Sequence, residues 1–343
     1  MSLTVERLGP DAPFGPVVAE YPYLPFGDLP VAPGRIAAYL SGRLATLAGG
    51  ETSRVLGARR GARLVGLAAL DTLAWESEVF GIRMATMPAI LAPDDSGEVQ
   101  ERLIHGVEAE ARAMGLQHVT CRVPLEDETL RHSLARTGFL LADSTLELNW
   151  DVPRLRIEEH SHAWRVTDIF GRTARIFKMG TTVRPPLESD VEPMKALARE
   201  AFTRRTRTRY TADPALSAEA TGELYAQWFE NAWKGTFGDC VRIAADRSGP
   251  IGFQTLKVDR ELSQALGLGI GVQGIGAVRP DRHKAGVALG LNCSVLMWAR
   301  DQGLGSARGR VLANNYAMLK TCFLTGGVVT AAFHTFQKRL RDS

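Results

Sequence analysis

The sequence lacks the features of a disulfide-stabilised or zinc-binding protein. Its 343 residues include only four cysteines, and no two of them stand in a C-x-x-C spacing. This scarcity argues against a cysteine zinc site and a disulfide framework, and it is typical of proteins from a reducing cytoplasm. We therefore expect no metal. The four cysteines are Cys121, Cys240, Cys293 and Cys322.

Long apolar runs and a strong net charge are missing as well. The opening MSLTVERLGPDAPFGP carries acids and prolines where a signal peptide needs an apolar core. No stretch approaches the ~20 apolar residues that cross a bilayer, and the formal net charge is only +3. We expect a cytoplasmic protein with neither a membrane nor a nucleic-acid partner.

What is present is a repeated order of predicted elements: hairpin, strand, long helix, strand, helix, glycine, strand. The first copy occupies the segments 53–58, 64–70, 84–90, 98–114, 118–123, 127–137 and 145–150. The second copy occupies the segments 240–245, 252–258, 271–278, 286–301, 307–313, 316–325 and 328–336. The shared order predicts two copies of one α/β unit, with coincidence as the alternative because short α/β patterns recur widely.

A strand-to-helix turn in the second copy carries the clearest chemical signal. The first amide groups of the helix lack internal partners and lie at the positive end of its dipole, where anions and phosphates bind. Gly286 lets the backbone approach a pyrophosphate, and the small side chain of Ala288 keeps the first turn open. Such a turn is a weak signal when it stands alone.

The segment around this turn, His283-Lys284-Ala285-Gly286-Val287-Ala288, resembles the [Q/R]-x-x-G-x-[G/A] loop of the GNAT superfamily of acyltransferases. His283 stands where Gln or Arg is usual in the superfamily. Further along, such proteins carry an Asn and a short helix with a tyrosine, and here Asn315 and Cys322 occupy those places. The resemblance covers roughly residues 182–337.

Two further motifs are similar to the dTDP-fucosamine acetyltransferase family, which N-acetylates a nucleotide-linked amino sugar. One begins at Ala201-Phe202 and continues through Arg209-Tyr210 and Asp213 to the run 224–237. The other is Leu73-Ala74-Trp75-Glu76-Ser77-Glu78-Val79-Phe80-Gly81. The resemblance implies an acyl-CoA-dependent N-acyltransferase that transfers the acyl group directly to a small amine.

The resemblance also implies an α/β fold of two GNAT-like units, each a mixed, mainly antiparallel sheet flanked by helices. We expect a degenerate GNAT-like domain over 1–150, a linker over 151–181 and a catalytic GNAT domain over 182–343. The N-terminal unit is expected to be degenerate because its loop 91–100 has one glycine and three acids, which would repel a pyrophosphate.

The expected donor is acetyl-CoA or another acyl-CoA. The resemblance implies that the strand backbone near Ile275, Ala277 and Val278 holds the pantetheine arm. The pyrophosphate would lie on the loop residues His283, Lys284, Ala285, Gly286, Val287 and Ala288. Asn315 would hold backbone or cofactor beside the strands; its alternative role is to cap a helix.

Each catalytic candidate also has a structural interpretation. Cys322 stands where the family has its general acid, but a free cysteine is more often a buried apolar residue. His334 is a candidate general base, with a structural histidine as the alternative. The substrate-side candidates are Tyr210, Tyr225, Trp228 and Asn231, of which Tyr225 and Trp228 would otherwise be ordinary core.

Two other functions remain open at this stage. The departures at His283 and Cys322 leave room for a carrier-protein thioester donor or for thioester decarboxylation. An acyl carrier protein would need a basic patch, for which the run 204–209 is the candidate. The chain would otherwise be a non-catalytic module that binds CoA or a nucleotide sugar. A homodimer is also left open.

Overall fold

The computed structural model describes residues 2–93, 97–204, 208–283 and 285–340, without the side chain of Arg204. The chain divides into two compact units. Unit 1 comprises Met1–Ser144 and Ala332–Ser343, and unit 2 comprises Thr145–Ala331. Each unit is a mixed, mainly antiparallel sheet flanked by helices, which confirms the predicted fold class.

The strands are, in chain order, β1 (Leu3–Arg7), β2 (Ser53–Arg60), β3 (Arg63–Thr72), β4 (Met84–Leu91), β5 (His118–Pro124), β6 (Leu140–Asp151), β7 (Arg156–Glu159), β8 (Ala163–Thr167), β9 (Thr173–Phe177), β10 (Thr182–Arg184), β11 (Cys240–Asp246), β12 (Gly249–Val258), β13 (Ile270–Val278), β14 (Ser306–Leu312) and β15 (Val328–Arg339). The α-helices are α1 (Phe14–Glu20), α2 (Pro33–Gly49), α3 (Ala74–Phe80), α4 (Glu98–Ala113), α5 (Glu128–Arg136), α6 (Val191–Arg204), α7 (Arg209–Ala212), α8 (Ala218–Trp233), α9 (Arg260–Leu266), α10 (Val287–Asp301) and α11 (Tyr316–Leu324). Both copies of the predicted element order are present.

The sheets of the two units have matching layouts. In unit 1 the order is β1-β2-β3-β4-β5-β15, and in unit 2 it is β10-β11-β12-β13-β14-β6. All neighbours are antiparallel except β4 with β5 and β13 with β14. The strand that completes each sheet comes from the other half of the sequence. Residues 333–339 of β15 pair with β5, and residues 145–151 of β6 pair with β14.

Helix α4 illustrates how the sequence pattern builds these layers. Val99, Leu103 and Val107 recur at helical spacing and are buried against the sheet of unit 1. Left-handed glycines stand at its start and just beyond its end, where a side chain would be strained. Among the described residues, no helix has the length and apolar character of a membrane span.

The segment expected to link the units folds as part of unit 2. Strands β7, β8 and β9 form a small antiparallel sheet, which packs on helix α10. Trp164 of this sheet is 3% exposed. A Cβ built on Gly290 of α10 would lie 2.6 Å from its ring. Arg300 donates a hydrogen bond to the carbonyl of Ile157 at 3.3 Å. From Trp164 to Thr167 the side chains of β8 alternate between more and less buried positions, as in a strand with one face packed on a core.

This packing predicts that Gly290→Ala destabilises the protein by about 1–3 kcal/mol, because the buried Trp164 ring cannot move aside. The control is Gly42→Ala in α2, where a Cβ has nothing within 4 Å. There the better helix propensity of alanine should stabilise by up to about 1 kcal/mol. Urea unfolding followed by circular dichroism measures both. Equal effects in the two variants would contradict the close contact.

Candidate active site in unit 2

The central strand β13 carries a bulge at the middle of unit 2. Across the antiparallel pair, Gln254 of β12 lies opposite Gly276, whereas Leu256 lies opposite Gln273. Two residues of β13, Gly274 and Ile275, therefore lie opposite the single residue Thr255 of β12. The Thr255 hydroxyl donates a hydrogen bond to the carbonyl of Ile275 at 3.1 Å, and this contact holds the bulge in place.

On its other side β13 separates from β14. The parallel pairing consists of Ile270–Val272 with Ser306–Arg308 and ends there. Both strands continue, β13 to Val278 and β14 to Leu312, without pairing with each other. Beyond Val272 and Arg308 the backbone groups on the facing edges do not pair with each other, and such groups are suited to hydrogen-bond an extended polar chain.

Helix α10 follows this strand after a loop that contains a short 3-10 turn, Pro280–Arg282, and its N-cap residue has the left-handed conformation. Gly286 is the N-cap residue, with φ 76°. A Cβ there would also lie 2.9 Å from Ile176 of β9, so glycine is required for both conformation and space. The first turn of α10 contains no acidic residue, and Ala288 within it is half-buried. Its amide groups are suited to an anion.

The charged side chains around the loop largely neutralise each other. Arg279 pairs with Asp281 at 2.7 Å, and Arg282 pairs with both Asp281 and Asp246 at 2.8 Å. Hydrogen bonds from Ser248 and Arg282 hold the pKa of Asp246 well below its usual range. Because these described arginines are already paired, the helix N-terminus is the feature among the described residues that suits an anion. His283 is exposed, with Nε2 3.0 Å from the carbonyl of Val278. Lys284 lies outside the described residues.

A row of aromatic rings leads from helices α6 and α8 to the bulge. Tyr225 stacks on Phe202 with ring centroids 3.9 Å apart, and Trp228 stacks on Tyr225 at 6.0 Å. Tyr210 meets Tyr225 edge-on. Tyr210 and Tyr225 are buried, but Trp228 is half-buried, and its Nε1 lies 3.8 Å from a Cβ built on the exposed Gly274. Trp228 is therefore the candidate that reaches the bulge.

The other residues of this region have structural contacts. Asn231 is half-buried at the end of α8, where its carbonyl accepts hydrogen bonds from the amides of Thr236 and Phe237. Arg209 lies 4.7 Å from the Tyr210 ring centroid and donates a hydrogen bond to its hydroxyl at 2.6 Å. Residues 205–207 of the basic run lie outside the described residues.

The structure places Cys322 in the apolar core of unit 2. It is 0% exposed, and burial raises the pKa of its thiol to about 12. In unit 1 the buried Leu134 stands at the matching place, seven residues after the helix N-cap Asp127, as Cys322 stands seven after Asn315. This placement favours the core interpretation over proton donation. Asn315 caps α11, its Oδ1 accepting from the amide of Met318 at 3.2 Å.

The candidate general base His334 lies in unit 1. It pairs with Val123 because β15 joins β5 from residue 333 onward. Its Nδ1 is 2.8 Å from the hydroxyl of Ser144. Burial and the Arg131 charge lower its pKa, so the imidazole is neutral near pH 7.

A buried ion pair fixes strand β14, which forms the edge of the gap opposite β13. The sequence analysis did not identify this pair. Glu147 of β6 pairs with both Arg308 and Arg310 of β14. Burial raises the pKa of Glu147, but the two arginines more than offset it, so the net shift is downward. The pair depends on the register of two strands distant in sequence, which residue spacing alone does not reveal.

The comparisons with known proteins point to one fold. No family model matches the chain. The spore coat polysaccharide biosynthesis protein SpsD of Bacillus subtilis is 25% identical over 197 residues, which are 57% of this chain and 59% of that protein. The dTDP-fucosamine acetyltransferase of an Escherichia coli O6:H1 strain is 32% identical over 143 residues, which are 41% of this chain and 56% of that protein. The chain thus matches less than two thirds of the length of either relative.

Solved structures match along the whole chain. A GCN5-related N-acetyltransferase from Sphaerobacter thermophilus has a TM-score of 0.62 at 14% identity, covering 99% of this chain and 96% of that one. A tandem GNAT protein from the clavulanic acid biosynthesis pathway has a TM-score of 0.53 at 14% identity, covering 100% of both chains. This chain has the tandem GNAT fold.

The two GNAT-like units differ where the donor loop is expected. Unit 1 keeps a bulge in β4, and its parallel pairing with β5 ends at Met87. Its helix α4 also begins at a left-handed glycine, Gly97. However, the first turn of α4 carries Glu98 and Glu101, whose charges oppose an anion. Residues 94–96, which include two of the acids counted in the sequence, lie outside the described residues.

The first turn of α10 generates a direct prediction. Ala288→Glu should weaken acetyl-CoA binding by on the order of tenfold or more, because a carboxylate would then face the pyrophosphate. Ala288→Gln is the matched control, since it adds the same bulk without the charge. Its affinity for acetyl-CoA should fall by less. Calorimetric titration measures both affinities. Unchanged binding in Ala288→Glu would place the phosphate elsewhere.

Proposed function

We propose that the chain is an acyl-CoA-dependent N-acyltransferase whose donor site lies in unit 2. The observation that carries this proposal is the gap between β13 and β14, which opens toward the acid-free start of α10. An acyl-CoA has the matching parts: a pyrophosphate for the helix N-terminus and an extended pantetheine arm for the strand edge. The tandem GNAT fold supports the same placement.

The reaction that suits this site is direct transfer to an amine. The amine nitrogen forms a bond to the thioester carbonyl carbon, the carbon–sulfur bond breaks, and the amine proton passes to the CoA sulfur or to water. A thiol has an ordinary pKa of about 8.5, so its thiolate leaves without a strong acid. A buried Cys322 is therefore compatible with catalysis in which water carries the proton.

For the acceptor we propose a small amine, with nucleotide-linked amino sugars as the first class to test. The similarity to dTDP-fucosamine acetyltransferase supports this class. Trp228 is half-buried beside the exposed Gly274, so its indole edge could contact a sugar or base bound at the bulge. Binding there would bring the amine close to the thioester.

The proposal is tested by release of free CoA thiol from acetyl-CoA, with a dTDP-linked amino sugar, a free amino sugar and no acceptor compared. We expect the nucleotide-linked amine to accelerate release and to gain one acetyl group by mass spectrometry. The described residues at the bulge, which are Gly274, Ile275, Thr255 and Trp228, include no acid or base side chain, and this favours one alternative, a non-catalytic CoA-binding module. Acetyl-CoA binding without turnover of any amine would support that alternative.

The acceptor placement predicts a selective kinetic effect. Trp228→Ala should raise the KM for the amine by about threefold to tenfold, the size of a lost aromatic contact, while the KM for acetyl-CoA stays unchanged. Trp233→Ala is the matched control, because Trp233 is also half-buried and lies on the same helix. If both variants behave alike, the acceptor binds elsewhere.

A further inference from the structure

Gln273 occupies the point where β13 and β14 begin to separate. It is the first residue of β13 after the last parallel pair, Val272 with Arg308. Its side chain lies toward Gly309 of β14, where a built Cβ would be 3.3 Å from the Cβ of Gln273 and 3.6 Å from its Oε1. Because Gly309 has no side chain, Gln273 can lie against β14 at the narrow end of the gap, where a Cβ would also meet the ring of Trp150 at 3.5 Å.

The amide nitrogen of Gln273 is buried without a hydrogen bond. The residue is 8% exposed, and within the part of the chain that the structure describes Nε2 has no partner. An orphaned buried donor is costly, and such groups in native proteins commonly await a ligand or an ordered water. A leucine or methionine would fill this position without that cost, so a polar residue here calls for a chemical reason.

We propose that Gln273 Nε2 donates a hydrogen bond to the acyl carbonyl oxygen of the bound thioester. This inference rests on the proposed acyl-CoA site. The pyrophosphate would lie at the Gly286 loop, beyond the end of β13 at Val278. The distance along β13 from Val278 back to Gln273 is about 16 Å, since each residue of a strand adds about 3.3 Å. An extended pantetheine arm can span that distance. The thioester at the far end of that arm then lies beside Gln273.

The hydrogen bond would act on the charge that develops during transfer. As the amine nitrogen bonds to the carbonyl carbon, the oxygen gains negative charge, which it loses when the carbon–sulfur bond breaks. A fixed amide donor in a buried site stabilises that charge more than the neutral carbonyl. Gln273 itself neither gains nor loses a proton. The group therefore both selects a carbonyl-bearing donor and accelerates the reaction.

The test compares acetyl-CoA with S-ethyl-CoA, a thioether of similar size that lacks the carbonyl oxygen. Calorimetric titration of the full chain should show wild type binding acetyl-CoA about threefold to tenfold more tightly, the value of one hydrogen bond. In Gln273→Met, which keeps the length of the side chain without the donor, this preference should fall to about one. S-ethyl-CoA affinity and the free energy of unfolding should not decrease.

The matched control is Gln337→Met in unit 1, where a glutamine 7% exposed also has an unpartnered side-chain atom. It should keep the wild-type preference. Gln273→Leu provides a second variant in case methionine packs poorly. Two results would overturn the role of Gln273 while leaving the donor site intact. One is a preference for acetyl-CoA over S-ethyl-CoA that persists in Gln273→Met, and the other is an equal loss of affinity for both ligands in that variant. If wild type binds neither ligand, the donor site and this inference fall together.

Discussion

The early end of the parallel pairing between β13 and β14 is the constraint on which the site depends. On one side the bulge opposite Thr255 turns β13 away, and the hydroxyl of that residue fixes the bulge through Ile275. On the other side Glu147 binds Arg308 and Arg310, which ties β14 to β6. Breaking such a buried pair is costly, so β14 is held where it is. The gap between the strands is thus set by contacts on both flanks, and the donor loop, the bulge and Gln273 are placed relative to it.

The matching layouts of the two units show which features are structural and which belong to the site. Both units have a bulged strand, a parallel neighbour and a long helix that begins at a left-handed glycine. These shared features are properties of the fold. The units differ in the charge of the first helical turn, where Glu98 and Glu101 of unit 1 have no counterpart in unit 2. This difference in charge is the reason we propose that the anion binds to unit 2, with unit 1 as a degenerate partner.

Much of the fold was predictable because it rests on local signals. Helical spacing, glycines at helix ends and turn residues predicted both copies of the element order, and Gly286 was identified as the glycine of the loop before α10. The features that were not predicted depend on contacts between residues distant in sequence. The position of His334 follows from β15 pairing with β5, and the order in 151–181 follows from Trp164 packing on Gly290. The orphaned amide of Gln273 and the Glu147 pair likewise require the strand register, which spacing along one chain does not contain.

Hydrogen exchange with and without saturating acetyl-CoA tests the central claim, that the donor binds in unit 2, most directly. The account predicts slower amide exchange in peptides from β13 and the start of α10, since the ligand would cover both. Peptides from β4 and the start of α4 should exchange at unchanged rates, because the acidic turn there opposes an anion. Protection confined to β4 and α4, or no protection in either unit, would contradict the account.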